Sequence, residues 1–408
     1  MPTSPLHLVL LGGGHAMLPS LMNAGKWTEA GVKVTLVDPQ EFLYYSGMVP
    51  EYLGGVYAEE AIRVDLAGLA QGANVTHVQA RAQAIDPSAR TVTIETGEQL
   101  SYDLLAADVG SANPAVPDPA IATKPIARIR PLAARIQDVM ADPSASLRLV
   151  VVGGGAAGIE VALNVTGRFD GADRLKDLDL TVIEQADRLL PGFPPGMRAD
   201  VTERLHRRGA MVSSGTTVTT VASAEDGATR VETNAPSRQT ADAVLWATGT
   251  VGPPLFRDSP LPTDDRGFLR VRPSLQTVSH PRIFAAGDCA SIEGLDLAKV
   301  GVHAVKQGPT LRTNLDRALE ALSAGYDAPR TAELKDFSSY PLTPLILSTG
   351  AADGLWTAGS TWAAHPWLLR LKHGIDRRWI RRYAPEQWGG ASWRDLLGAE
   401  SASQAHAP

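Results

Sequence analysis

Leu149-Val150-Val151-Val152-Gly153-Gly154-Gly155-Ala156-Ala157-Gly158-Ile159-Glu160 decides the fold of this chain. The apolar run predicts a strand buried on both faces, and the residues after the glycines open a helix. The join is a Gly-x-Gly-x-x-Gly turn in the setting that makes it a dinucleotide site. The first glycine allows the tight turn, and the second lets backbone approach a pyrophosphate. The helix N-terminus adds N–H donors and positive potential. Leu180-Thr181-Val182-Ile183 predicts the next strand, and Glu184 at its tip is placed to accept hydrogen bonds from ribose hydroxyls.

The same pattern occurs earlier, as Leu8-Val9-Leu10-Leu11-Gly12-Gly13-Gly14-His15-Ala16-Met17. Its acidic tip is Asp38, which ends Val32-Lys33-Val34-Thr35-Leu36-Val37. Met17 stands where a third small residue usually lets helix and strand pack closely, which predicts a wider crossing. Two turns of this kind imply two dinucleotides, and two redox dinucleotides imply electron transfer between them.

A chain of 408 residues should hold two or three domains. With 44% apolar and 20% charged residues, its composition is that of an ordinary soluble protein. The formal charge of -6 argues against a nucleic-acid partner. No apolar run is long enough to span a bilayer, and Met1-Pro2-Thr3-Ser4-Pro5 has no basic region. The expected location is therefore cytoplasmic. The single cysteine, Cys289, leaves no Cys-x-x-Cys pair. That excludes an electron relay through an internal dithiol and argues against a persulfide relay. Cys289 itself reads as a small buried hydrophobe. The nine histidines show no metal-ligand spacing, so no metal is expected.

The expected fold class is α/β, with two doubly wound Rossmann-like domains and a C-terminal α+β domain. Residues 1–118 form the first unit and the proline-rich stretch near its end is a linker. Residues 119–252 form the second unit, and 253–323 return to the first, so that the second is inserted in it. Arg130 to Met140 and Lys299 to Leu322 read as helical. Residues 324–397 form the third region, and 398–408 are a polar, disordered tail.

The motifs Gly12-x-Gly14, Gly153-x-Gly155-x-x-Gly158, Ala247-Thr248-Gly249 and Ala286-Gly287-Asp288, in that order, resemble the two-dinucleotide flavoproteins. The resemblance covers about residues 6–325 and implies FAD in the first site and NAD(P)H in the second. Tyr45 to Pro50, Asp108-Val109-Gly110-Ser111, Gly301 to Gly308 and Leu371 to Trp379 resemble type II NADH dehydrogenases and the flavoproteins found with selenophosphate synthetase. It implies FAD contacts at Gly12, Gly14, His15, Ala16, Asp38, Pro50, Gly110, Asp288 and Val302. It implies NAD contacts at Gly153, Gly155, Gly158, Glu184 and Gly249. Asp288 would bind the ribityl chain or serve as a helix N-cap. His15 would pack on the FAD diphosphate or simply sit in a first helical turn. Val302 lies where a helix N-terminus would face the flavin pyrimidine edge. Glu160 would lie near nicotinamide and flavin or on a solvated helix face. Lys306 would face the second substrate or solvent. Glu184 favours NADH over NADPH, because a 2′-phosphate would meet its charge.

The C-terminal region holds Trp356, Trp362, Trp367, Trp379, Trp388 and Trp393. Helical spacing puts Leu368, Leu371, Ile375, Trp379 and Tyr383 on one face and Arg370, Arg377 and Arg381 opposite. Such a helix over Trp367 to Tyr383 either lies at a bilayer interface, peripheral on the cytoplasmic face through residues 362–383, or packs on protein, including a homodimer mate. The expected reaction is hydride transfer from NADH to FAD and on to a quinone-like acceptor. The alternatives are a soluble NAD(P)H-dependent reductase with a protein or small-molecule acceptor, and a non-enzymatic NADH-responsive flavoprotein.

Overall fold

The computed structural model describes residues 5–224, 227–235, 238–329, 331–339 and 343–384. They form two compact units. One comprises the described residues within Met1–Leu43, Val64–Ala112 and Thr250–Ser339, and the other those within Tyr44–Arg63, Asn113–Gly249 and Tyr340–Pro408. The helices that position the candidate residues are α1 (Leu18–Glu29), α2 (Val49–Leu53), α3 (Ala156–Gly171), α4 (Gly301–Ser323) and α5 (Pro366–Ile380).

The first unit is centred on a five-stranded parallel sheet. Its strand order is Ile283–Ala285, Leu104–Ala107, His7–Leu11, Lys33–Val37, Thr76–Val78. Every residue of His7–Leu11 is buried, as a central parallel strand requires. The edge strand Ile283–Ala285 follows the whole of the second unit's sheet in sequence, so the chain leaves and rejoins the first sheet.

The second unit repeats the plan with Ile121–Ala122, Ala243–Trp246, Leu147–Val152, Leu178–Ile183 and Met211–Ser213, again parallel. An antiparallel sheet of Val218–Ser223, Thr229–Thr233 and Arg238–Ala241 covers it, packing Val221, Val231 and Ala241 on Val150, Val152, Ile183 and Val244. A second antiparallel sheet, Leu345–Ser348, Gly354–Ala358 and Thr361–His365, leads into α5.

Three expectations need correction. Residues 44–63 group with the second unit, and so does the C-terminal sheet with α5, which is not a separate domain. The cause is packing: α2 lies on α3, where a Cβ on Gly54 would come within 3.1 Å of the Asn164 side chain, and α5 is tied to α2 by buried charges. Met17 precedes the helix instead of standing inside its first turn. Helix α1 starts one residue later, at Leu18, and Met17 is fully buried in its N-cap position. A close approach to this helix end occurs at Gly308 of α4, whose Cβ would lie 2.9 Å from Pro19 and 3.0 Å from the Ala16 carbonyl.

The third correction concerns α5. Leu368, Trp379 and Tyr383 are buried, but so are Lys372, Asp376 and Arg377. Ile375 is 50% exposed and Trp367 58% exposed, beside half-exposed Leu371. The helix therefore turns charge inward and an apolar strip outward. Trp388, Trp393 and the tail at 398–408 lie outside the described residues.

Candidate functional site

In the first unit the strand His7–Leu11 delivers the glycine turn to the carboxyl end of the sheet. The Asp38 side chain accepts from the N–H of Gly13 at 2.7 Å and of Gln40 at 2.7 Å. Burial raises its pKa, against those two hydrogen bonds. The neighbouring strand Leu104–Ala107 ends in Asp108-Val109-Gly110-Ser111. Ser111 Oγ donates to Asp288 at 3.5 Å, and Gln307 of α4 accepts from the Gly287 N–H at 2.7 Å. These contacts place Asp38, Gly110, Asp288 and the start of α4 around the turn that holds Gly12, Gly14, His15 and Ala16. Val302 is the second residue of α4, and Lys306 lies one turn on; both are half-buried. Cys289 is fully buried and burial pushes its thiol up.

In the second unit, α3 starts at Ala156, directly after the glycines. A Cβ on Gly158 would lie 2.1 Å from the Gly153 carbonyl, so only glycine permits this helix to pack so close to the turn. Glu184 bridges the backbone around it, accepting from the N–H of Gly154 at 2.6 Å and of Ala186 at 2.7 Å. A Cβ on Gly155 or on Gly249 would meet nothing within 4 Å, so both present bare backbone to open space. Asn113 Nδ2 donates to the carbonyls of Thr248 at 3.0 Å and Gly249 at 3.3 Å and holds that loop.

One turn along α3, Glu160 accepts from the Ser348 N–H at 2.8 Å and from its hydroxyl at 3.1 Å. The residue keeps part of its surface open, yet its carboxyl is deep enough for burial to raise it to about 7. Lys372 of α5 is part of the same electrostatic group. Its Nζ donates to Glu51 at 2.6 Å, to Asp376 at 2.9 Å and to the Gly47 carbonyl at 2.7 Å. Burial alone would lower Lys372, but the carboxylates of Asp376, Glu51 and Glu160 outweigh it and hold the ammonium charged. Burial opposes ionisation of Glu51 too, but Lys372 and His373 hold it below the ordinary glutamate range. Burial wins at Asp376, which is raised. Tyr45 donates to Asp376 at 2.9 Å and stacks on Trp379 at 4.2 Å. The cluster thus mixes ionised Lys372 and Glu51 with two carboxyls, Asp376 and Glu160, whose ionisation burial opposes.

The two glycine turns, each with an acidic strand tip, agree with a family model covering residues 6–308, described as pyridine nucleotide-disulphide oxidoreductase. The chain belongs to that family. Within the pyridine nucleotide-disulphide oxidoreductases, it is 26% identical over 322 residues to a demethylphylloquinone reductase of Synechocystis, covering 75% of this chain and 77% of the relative. It is 30% identical over 315 residues to an NADH dehydrogenase-like protein of Mycobacterium tuberculosis, covering 73% and 74%. The fold matches NDH2 of Plasmodium falciparum, solved with NADH, at a TM-score of 0.73 and 14% identity over 95% and 99% of the two chains. As a family member with one cysteine, this protein has no internal dithiol.

The structure gathers Gly12, Gly14, His15, Ala16, Asp38, Gly110, Asp288, Val302 and Lys306 in the first unit, and Gly153, Gly155, Gly158, Glu160, Glu184 and Gly249 in the second. Pro50, implied as an FAD contact, lies in the second unit beside Glu51. Sequence reasoning gave no role to Glu51, Lys372 or Asp376. The Lys372–Asp376 spacing of one helical turn is the signal that could have exposed part of the cluster. It also gave none to Asp108.

Proposed function

We propose that this protein is an FAD-dependent oxidoreductase that takes hydride from NADH and passes the electron pair to a quinone-like acceptor. The observation that carries this is the pair of glycine cradles, each closed by a strand-tip carboxylate, in a chain without a dithiol. Reduced flavin must then meet its acceptor directly.

The residues fit the two dinucleotides. Asp38 would hold the adenosine ribose and Asp288 the ribityl chain of FAD, with Gly12, Gly14, His15, Ala16 and Gly110 around the diphosphate. The α4 N-terminus at Val302 favours negative charge on the pyrimidine edge. Gly153, Gly155, Gly158 and Gly249 supply backbone to NADH, and Glu184 holds its ribose and disfavours a 2′-phosphate. When bound, FAD supplies the hydride acceptance and the onward two-electron transfer.

Reduction of a quinone by NADH consumes one proton beyond the hydride. Glu160, raised to about 7, holds such a proton near neutrality, and the charged Lys372 ammonium belongs to the same buried electrostatic group. Lys306 is a candidate to face the acceptor. The outward strip Trp367, Leu371 and Ile375, bordered by Arg370, Arg378 and Arg382, suits the surface of an anionic bilayer, where quinones reside. Among the described residues no helix is long and apolar enough to cross a membrane.

Anaerobic mixing with NADH tests this. The visible flavin band should bleach and return on addition of a quinone, with NADPH much less effective. Bound FAD that stays oxidised under NADH would refute the proposal.

A further inference from the structure

The two cradles have corresponding parts. A Cβ on Gly12 would lie 2.3 Å from the Asp108 carbonyl, and a Cβ on Gly153 would lie 2.5 Å from the Ala247 carbonyl. Asp108-Val109-Gly110 in the first unit therefore occupies the position of Ala247-Thr248-Gly249 in the second. Where the NADH cradle has a methyl group, the FAD cradle has a carboxyl.

That carboxyl is buried, 3% exposed, and it lies at the start of α1. Its Oδ2 accepts from the N–H of Ala16 at 2.7 Å and of Met17 at 3.1 Å. These are the donors that a helix N-terminus offers to a dinucleotide diphosphate. A Cβ on Gly14 would come within 2.3 Å of the Asp108 carboxyl carbon, and one on Gly287 within 2.2 Å of Oδ1. Both signature glycines thus face this side chain, whereas Gly155 faces open space.

The surroundings are mostly acidic. Asp38 at the tip of Lys33–Val37, Asp288 in the Gly287–Cys289 turn and the Cys289 thiol all lie close enough to Asp108 to interact with it electrostatically. His15 lies in the turn itself. Beyond Asp288 stand Lys299, His303 and Lys306 at the start of α4. Burial, then Asp288 and Asp38, raise Asp108 to about 7 against the pull of the two N–H groups. A diphosphate would add two negative charges at the same helix end.

We propose that Asp108 is a proton-linked specificity residue of the FAD site: its carboxylate holds the α1 N-terminus in place of phosphate and takes up one proton when the FAD diphosphate binds. The protonated carboxyl no longer repels the diphosphate and can donate a hydrogen bond to an anion. The NADH cradle, with Ala247, carries no such linkage. The proposal rests on the first cradle being an FAD site.

The test is FAD binding to the full-length apoprotein, followed by flavin fluorescence at pH 6, 7 and 8. Calorimetry in two buffers of different ionisation enthalpy counts protons. For one proton and a midpoint near 7, the wild-type Kd weakens about tenfold from pH 6 to pH 8, with about one proton taken up at pH 8. Asp108→Asn keeps the acceptor oxygen but cannot ionise, so its Kd should stay flat and be about tenfold tighter than wild type at pH 8. Asp108→Ala, which copies Ala247, should also be flat and covers the case of a misfolded amide variant. The pH dependence of NADH binding should be the same in all three. A wild-type Kd that is flat in pH, an absence of proton uptake, or an Asn variant that keeps the wild-type slope would overturn the proposal and leave the FAD site standing. No FAD binding by any protein at any pH would overturn both.

Discussion

Replacing Lys372 with methionine should lower the melting temperature of the second unit by a margin that grows with pH. The ammonium touches Glu51, Asp376 and the Gly47 carbonyl, and the two ion-paired side chains Lys372 and Glu51 are 8% and 1% exposed. Methionine keeps the apolar stem and deletes the charge. Glu51 then keeps His373 as its remaining ion-pair partner among the described residues. Breaking a buried pair from one side costs about 3–5 kcal/mol, chiefly by stranding the remaining charge. In the wild type, Glu51 lies below its ordinary value, so its contribution is present above pH 4.5 and fades as pH falls through the folded value. In the variant, burial acts without the lysine and the folded value rises above the unfolded one. The penalty therefore grows by about 1.4 kcal/mol per pH unit above the unfolded value, until pH passes the raised folded value and the buried carboxyl ionises as well. At about 2–4 °C per kcal/mol for a unit of this size, Tm should drop by about 6–20 °C at pH 7.5. Scanning calorimetry at pH 5 and 7.5 measures both gaps, and the gap at pH 5 should be the smaller. Adding Glu51→Gln should restore at least half of the loss at pH 7.5, because no stranded charge remains. A drop below about 3 °C at pH 7.5, or a double variant less stable than the single one, would show that the pair is not stabilised as described.

Glu160→Gln should cut quinone reduction at pH 7 by about a hundredfold while NADH still bleaches the flavin in stopped flow. The wild-type rate should fall above about pH 7, as the raised Glu160 carboxyl loses its proton. Glu184→Ala removes the acceptor for a ribose hydroxyl and should raise the KM for NADH about 10–100-fold, narrowing the preference over NADPH in the same steady-state assay. Replacing exposed Trp367 and Ile375 with glutamate should abolish co-sedimentation with anionic vesicles. It should change folding stability by less than about 0.5 kcal/mol in a denaturant titration.

The cradles were legible because their information is local. A buried run, a glycine turn and an acidic tip occupy one short stretch each, and the structure closes Gly13 on Asp38 and Gly154 on Glu184 as that order demands. Cys289 was legible for the same reason, as a small apolar residue after a strand. The difference between the two cradles was written in sequence too, as Asp108 against Ala247. Its meaning needed the coordinates, since the carboxyl acts on Ala16 and Met17, far away in the chain.

Helix α5 shows where periodicity stops being sufficient. A stripe of Leu, Ile and Trp at helical spacing specifies an amphipathic helix, but it specifies the buried face only if apolar contact outweighs every other interaction. Here the inward face is chosen by Lys372 and Asp376, whose partners Glu51 and Tyr45 come from near the start of the chain. Inside a low-dielectric unit these paired charges must remain together, because a lone buried charge is far costlier than an exposed isoleucine. Ile375 and Trp367 are therefore left outward, and the strip they form is a by-product of burying the charged cluster. The same rotation that supplies Lys372 to Glu51 turns the apolar strip toward the medium, so the proposed acid chemistry and the proposed lipid contact depend on one helix orientation. Lys372→Met should then disturb both vesicle binding and Glu160 titration, whereas Ile375→Glu should disturb the first alone.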